Sequence, residues 1–185
     1  MPNADALGMS TASQTVCAWC QQPIRASATA EDSHGICLDC LPEVFSIPVE
    51  SLLQMDQTRL DALPYGFVVL DERDAVVEFN AFEAELARMR REDVLGRNFF
   101  TEVAPCTNVE QLGGWVRRAR AIGVDATTQV MFVFGFQFGR RLVDITLSFL
   151  AATKTVTLVV RETGSQDRDA AAGSDPDCKR SRAKE

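Results

Sequence analysis

Cys17, Cys20, Cys37 and Cys40 form two Cys-x-x-Cys pairs with sixteen residues between them, and soft-metal binding is the chemistry this spacing favours. Two thiolates on each of two tight turns can close a tetrahedral shell around Zn²⁺, as in zinc ribbons and knuckles. The stretch 16–41 has few apolar residues with which to build a core, so a metal is its natural staple. Structural zinc in modules of this size supplies roughly 10–16 kcal/mol of apparent binding free energy. A pair of disulfides, or a redox-active thiol set, would use the same residues and is the other reading. His34 could replace one sulfur, but four cysteines fill the shell and leave it a supporting or surface role. Of the remaining two cysteines, Cys178 sits in a polar tail as an incidental thiol, and Cys106 lies within an apolar domain.

The elements that must position these groups belong to a chain of 185 residues, 46% hydrophobic, with a formal net charge of −7. The length suits one domain with appendages. The acidic balance argues against a nucleic-acid partner, and Arg25 is the one basic residue of the cysteine module. No apolar run approaches a membrane span, and the first fifteen residues lack the basic and apolar regions of a secretory signal. A cytoplasmic location is therefore expected, where cysteines stay reduced. A single histidine disfavours Ser-His-Asp chemistry, Cys-His proteolysis and histidine-rich catalytic metal sites. The expectation is that the chain is not an enzyme.

Composition divides the chain into a polar N-terminus over 1–15, the four-cysteine zinc module over 16–43, an amphipathic linker over 44–63, an apolar domain over 64–163 and a polar tail over 164–185. Within the linker, Ser46-Ile47-Pro48 predicts a helix start. Phe67–Leu70 and Ala75–Phe79 are β-type runs around a turn at Asp71–Asp74. A helix is predicted over Asn80–Arg91, closing on basic residues. Thr107 or Asn108 would cap another reaching Ile122, with Gly123 as its stop. Gly113-Gly114 would cost that helix about 2 kcal/mol in propensity, which points to a bend or a close backbone contact. Strands are predicted over Val130–Phe138, Leu142–Ala151 and Thr155–Glu162. Phe132, Phe134, Phe136 and Phe138 alternate, so their rings share one face. This order predicts an α+β fold with a five-stranded antiparallel sheet and helices over one face.

From Met55 to Thr163 the sequence resembles the photoactive yellow protein family, blue-light receptors of the PAS fold. Three stretches carry the likeness: Met55-Asp56-Gln57-Thr58-Arg59-Leu60-Asp61-Ala62-Leu63, Phe79-Asn80-Ala81-Phe82-Glu83, and Gly96-Arg97-Asn98-Phe99-Phe100-Thr101-Glu102-Val103-Ala104-Pro105-Cys106-Thr107. The last is the most specific, because generic PAS domains lack its Ala-Pro-Cys. The resemblance implies that Cys106 carries p-coumaric acid (4-hydroxycinnamic acid) as a thioester. It implies that Glu83 donates a hydrogen bond to the chromophore's phenolate from a protonated carboxyl and yields that proton after light-driven isomerisation. Phe79, Ala87, Met89, Phe99 and Phe136 would line the pocket.

Elementary chemistry agrees with these roles. A cysteine just before a helix start favours the thiolate, and a buried carboxyl kept neutral can serve as a donor. Glu83 also lies three residues after Asn80, the spacing of a capping box. The family's second phenolate donor, a tyrosine, is Phe79 here; its supporting threonine is Ala87, and its pocket-lid arginine is Met89. Arg88 or Arg90 could serve as the lid. The turn Gly139-Arg140-Arg141 is shorter than the family's loop. A PAS scaffold without chromophore, or a redox-sensing domain, is the alternative. In either case the output would pass to an unidentified signalling protein or through self-association, with no nucleic acid and no membrane.

Overall fold

The computed structural model describes residues 16–23, 36–37, 39–136 and 138–166; His34, Cys178 and most of the expected tails lie outside them. Strand β1 (Gly66–Leu70) is buried along its whole length. A run of apolar residues without alternation is what a strand covered on both faces requires. It turns at Asp71, whose Oδ1 accepts from the N–H of Arg73 at 2.8 Å and of Ala75 at 2.9 Å. This Asx turn delivers β2 (Val76–Phe79), antiparallel to β1.

Three longer strands follow in the C-terminal half: β3 (Ala126–Phe136), β4 (Gly139–Leu150) and β5 (Thr155–Gln166). They close one antiparallel five-stranded sheet in the order β2-β1-β5-β4-β3. Phe136 pairs with Gly139, so β3 passes into β4 between these two residues. The turn therefore lies two residues earlier than the sequence suggests, and Arg140 and Arg141 are strand residues.

Between β2 and β3 the chain crosses the inner face through α4 (Ala81–Ala87), α5 (Arg91–Val94) and α6 (Trp115–Ile122). The single helix expected over Asn80–Arg91 is thus two. Helix α4 stops where Arg88 turns left-handed, at φ 51°, and the N–H of Met89 reaches back to the Ala84 carbonyl. The helix expected after Thr107 or Asn108 instead opens as a π-helical turn at Glu110–Gly114, following Val109, before α6. The two glycines lie inside that turn, so the bend falls where the sequence places it. Gly123 stops α6 in the left-handed conformation, as expected.

Even-numbered residues of β1 and β5 (Val68, Leu70, Val156, Leu158, Val160) enter an inner core with Phe79, Phe99, Phe100, Leu112 and Val116. Odd-numbered Phe67, Val69 and Val159 face the other way, into a second core. That outer core is completed by α1 (Leu41–Phe45), α2 (Val49–Leu52) and α3 (Gln57–Asp61), which contribute Val44, Leu52 and Leu60 together with Leu63 and Tyr65. The linker helix of the sequence is therefore three short helices packed on the far side of the sheet. No helix among the described residues is long and apolar enough to cross a membrane.

Candidate functional site

Asn80 organises the entrance to the inner core. Its side chain is fully buried and makes four hydrogen bonds. Oδ1 accepts from the N–H of Phe67 at 2.9 Å and of Glu83 at 3.2 Å. Nδ2 donates to the carbonyls of Leu60 and Tyr65, each at 2.9 Å. One residue thus caps α4, fixes it to β1 and ties both to the segment that precedes the sheet. The sequence marked Asn80 only as a helix cap, because its tertiary partners lie thirteen to twenty residues away.

Glu83 follows in the first turn of α4. The reciprocal half of a capping box is not made: the Asn80 N–H donates to the Phe67 carbonyl instead. The Glu83 side chain turns inward and is only 5% exposed. Its Oε2 has no hydrogen-bond partner. Burial disfavours the charged carboxylate and pushes its pKa up to about 7. The carboxyl lies against β1 at Gly66, where a Cβ would stand 2.0 Å from Oε2. Only glycine leaves room there for a buried acid, a role with no sequence signal other than a glycine at a strand start.

Cys106 is the middle residue of a 3-10 turn, Pro105–Thr107. The turn is closed by the Thr107 N–H and hydroxyl, both donating to the Ala104 carbonyl, at 2.9 and 2.6 Å. The cysteine is half-buried against the inner core. It stands before the π-helical turn rather than at the start of a long helix, so the helix-dipole argument for its thiolate does not carry over. Phe79 and Phe99 are members of the same core, and Ala87, Met89 and Phe136 pack on it. Phe79, Ala87, Met89, Phe99 and Phe136 therefore all lie on the inner side of the sheet.

The phenylalanine ladder forms as the alternation predicts. Phe136 sits between Phe134 and Phe138 with centroid separations of 5.3 and 4.8 Å, and Phe132 continues the row at 5.1 Å from Phe134. Arg88 lies over the Phe138 ring at 3.9 Å, while Arg90 is surface-exposed and ion-paired with Glu92. Of the two arginines considered for the lid, Arg88 is the one held against the ladder. Tyr65 donates its hydroxyl to the Val44 carbonyl at 3.1 Å in the outer core, so it does not replace the hydroxyl that Phe79 lacks.

The residues fit a covalently held, proton-accepting ligand in two respects. A half-buried thiol lines the core, and a buried carboxyl oxygen lacks a partner there.

The other cluster lies at the edge of the outer core, to which Cys17 and Cys40 belong. Cys17, Cys20, Cys37 and Cys40 bring their sulfurs within 4.8 Å of one another. Residues 16–23 form a knuckle closed by a Val16–Pro23 bridge and by the Cys17 N–H donating to the Gln22 carbonyl at 2.7 Å. Burial works against ionisation of Cys17, but the N–H groups of Cys20, Cys37 and Trp19 outweigh it and bring that thiol down to about 6. This donor set can hold a soft metal ion.

A family model described as the PAS fold matches residues 54–134. Photoactive yellow protein from Rhodothalassium salexigens is 37% identical over 87 residues, covering 47% of this chain and 69% of that protein. The photoactive yellow protein of Cereibacter sphaeroides is 31% identical over 93 residues, covering 50% of this chain and 71% of its own length. The crystal structure of the photoactive yellow protein domain from the sensor histidine kinase Ppr of Rhodospirillum centenum superposes with a TM-score of 0.57 at 32% identity. That match spans 60% of this chain and 97% of the domain. With its buried glutamate and core-lining cysteine in the layer the sequence predicts, the chain belongs to the photoactive yellow protein family of PAS-fold proteins.

Proposed function

We propose that the chain is a blue-light receptor that holds p-coumaric acid as a thioester on Cys106 and signals through the protonation state of Glu83. The observation that carries this reading is the carboxyl of Glu83, buried and with an unpartnered Oε2. A buried polar atom without a partner costs about 1–3 kcal/mol, and a phenolate in the inner core would relieve that cost. When bound, the chromophore supplies light absorption and a double bond that isomerises. The rest falls to the protein. Cys106 attaches the group, and the ladder from Phe132 to Phe138 excludes water. Glu83, its pKa near 7, holds a proton it can release. Ionised Glu83 would be a buried charge against β1, and through Asn80 its helix is joined to Leu60 and Tyr65, so the signal has a route to the segment before the sheet.

No residue of the site supplies an enzymatic nucleophile–base pair with histidine, which favours a sensor over a catalyst. The output passes to a partner protein or a second copy of the chain; the Ppr relative, a sensor histidine kinase, suggests the kind of protein to which such a domain answers. A cytoplasmic setting suits reduced cysteines.

Incubating the full chain with activated p-coumaric acid tests the reading. The expected result is a mass gain of one adduct with a new band between the near-ultraviolet and the blue, both absent in Cys106→Ala. Folded protein that takes up no adduct would instead support a chromophore-free PAS scaffold.

A further inference from the structure

We propose that Cys17, Cys20, Cys37 and Cys40 bind one zinc ion, and that this ion is the clasp holding the 16–23 knuckle and helices α1 to α3 on the outer face of the sheet. A tetrahedral ion with Zn–S bonds of about 2.3 Å sets its sulfurs about 3.8 Å apart. The Sγ atoms of Cys20 and Cys37 stand 3.8 Å apart. A disulfide needs a separation near 2 Å. Cys17 Sγ accepts from the N–H groups of Trp19, Cys20 and Cys37, at 3.4, 3.5 and 3.4 Å. Backbone donors converging on one sulfur are the outer-shell contacts that orient a metal-bound thiolate.

The ligands divide by exposure in a way an independent module would not need. Cys20 faces solvent. Cys17 and Cys40 are buried and belong to the outer core with Ile36, Val44, Tyr65 and Phe67. Cys40 is also the N-cap of α1. From there the Val44 carbonyl accepts from the Tyr65 hydroxyl, and Arg161 of β5 lies over the Phe45 and Tyr65 rings at 6.0 and 5.4 Å. Arg59 of α3 covers Trp19 at 5.5 Å. The metal shell thus joins the 16–23 knuckle to α1, and α1 is keyed into the sheet. Without the ion, the described backbone contacts within the knuckle are a single bridge and two hydrogen bonds, and Phe67, Val69 and Val159 lose part of their cover.

The inference does not depend on whether Cys106 carries a chromophore, and its test reads different signals. Metal analysis of the full chain should give about one zinc per chain. Cys20→Ser removes a ligand without opening a cavity. It should abolish zinc retention, make residues 41–63 accessible to protease and shift the emission of Trp19, while the far-ultraviolet signature of the sheet persists. Should that variant not fold, stripping zinc from the wild-type chain with a chelator should produce the same changes, and zinc should reverse them. A chain isolated without zinc and with its four cysteines in disulfides would overturn the metal site. A zinc-loaded chain whose protease pattern and Trp19 emission survive stripping would overturn the clasp.

Discussion

At the residue scale, Glu83 and Phe79 decide the chemistry. Burial raises the Glu83 pKa from 4.5 to about 7, so the native state binds a proton that the unfolded chain has released. The stabilisation is fully present below about pH 4.5, and it is lost as pH rises through about 7. The difference amounts to roughly 3 kcal/mol at most. Denaturant titrations of the chromophore-free protein should therefore show stability falling between pH 5 and 8. Glu83→Gln should flatten that fall; an unchanged profile in the variant would place the titration elsewhere. At Phe79, the missing hydroxyl removes a charge-assisted hydrogen bond of about 1.5–3 kcal/mol from a phenolate. The loaded protein should show both a yellow anionic band and a near-ultraviolet protonated band, in proportions that follow pH. Phe79→Tyr should enlarge the yellow share, and a single pH-independent yellow band in the parent would contradict this. Cys106, Glu83 and Phe79 were legible in the sequence as candidates, because two short motifs, Phe79–Glu83 and Gly96–Thr107, carry them. The close approach of Glu83 to Gly66 was not, since sixteen residues of chain lie between them and only the folded register brings them together.

At the scale of elements, strands were read more accurately than helices. The alternation of Phe132 to Phe138 and the unbroken apolar run of β1 state their burial directly. Helix ends proved harder. Arg88 takes the left-handed position that sequence rules assign to glycine, and it does so where its guanidinium lies over Phe138. The start at Thr107 failed because its hydroxyl is used within the 3-10 turn that presents Cys106. Asn80 is the joint on which α4, β1 and the N-terminal segment depend. Asn80→Ala would orphan buried groups at Leu60, Tyr65 and Phe67, each costing about 1–3 kcal/mol. Equilibrium unfolding of that variant should show a loss of several kcal/mol; a loss near that of an exposed cap, about 1 kcal/mol, would show the tertiary bonds to be replaceable.

At the scale of the whole molecule, the sheet separates two cores with different tasks. The inner one encloses the cysteine and the glutamate, and the outer one joins the four-cysteine cluster to β1 and β5. Spacing pointed to the four cysteines and the family motifs to Cys106 and Glu83, but neither showed that the N-terminal segment is built into the sheet's far face, because Val44, Leu52 and Leu60 lie in helices too short to show a period. Asn80 bonds to the start of α4 and to Leu60 and Tyr65 on the other side, so under the proposed mechanism a change of charge at Glu83 would have a route to the outer segment through a single side chain. Illumination of the chromophore-loaded chain, followed by infrared difference spectroscopy, tests the light-sensing claim most directly. Blue light should bleach the visible band reversibly and remove the C=O stretch of a buried carboxylic acid, and Glu83→Gln should eliminate the carboxyl signal. A loaded protein whose band bleaches while that carboxyl signal stays in place would contradict the role of Glu83, and one whose band ignores light would contradict the receptor itself.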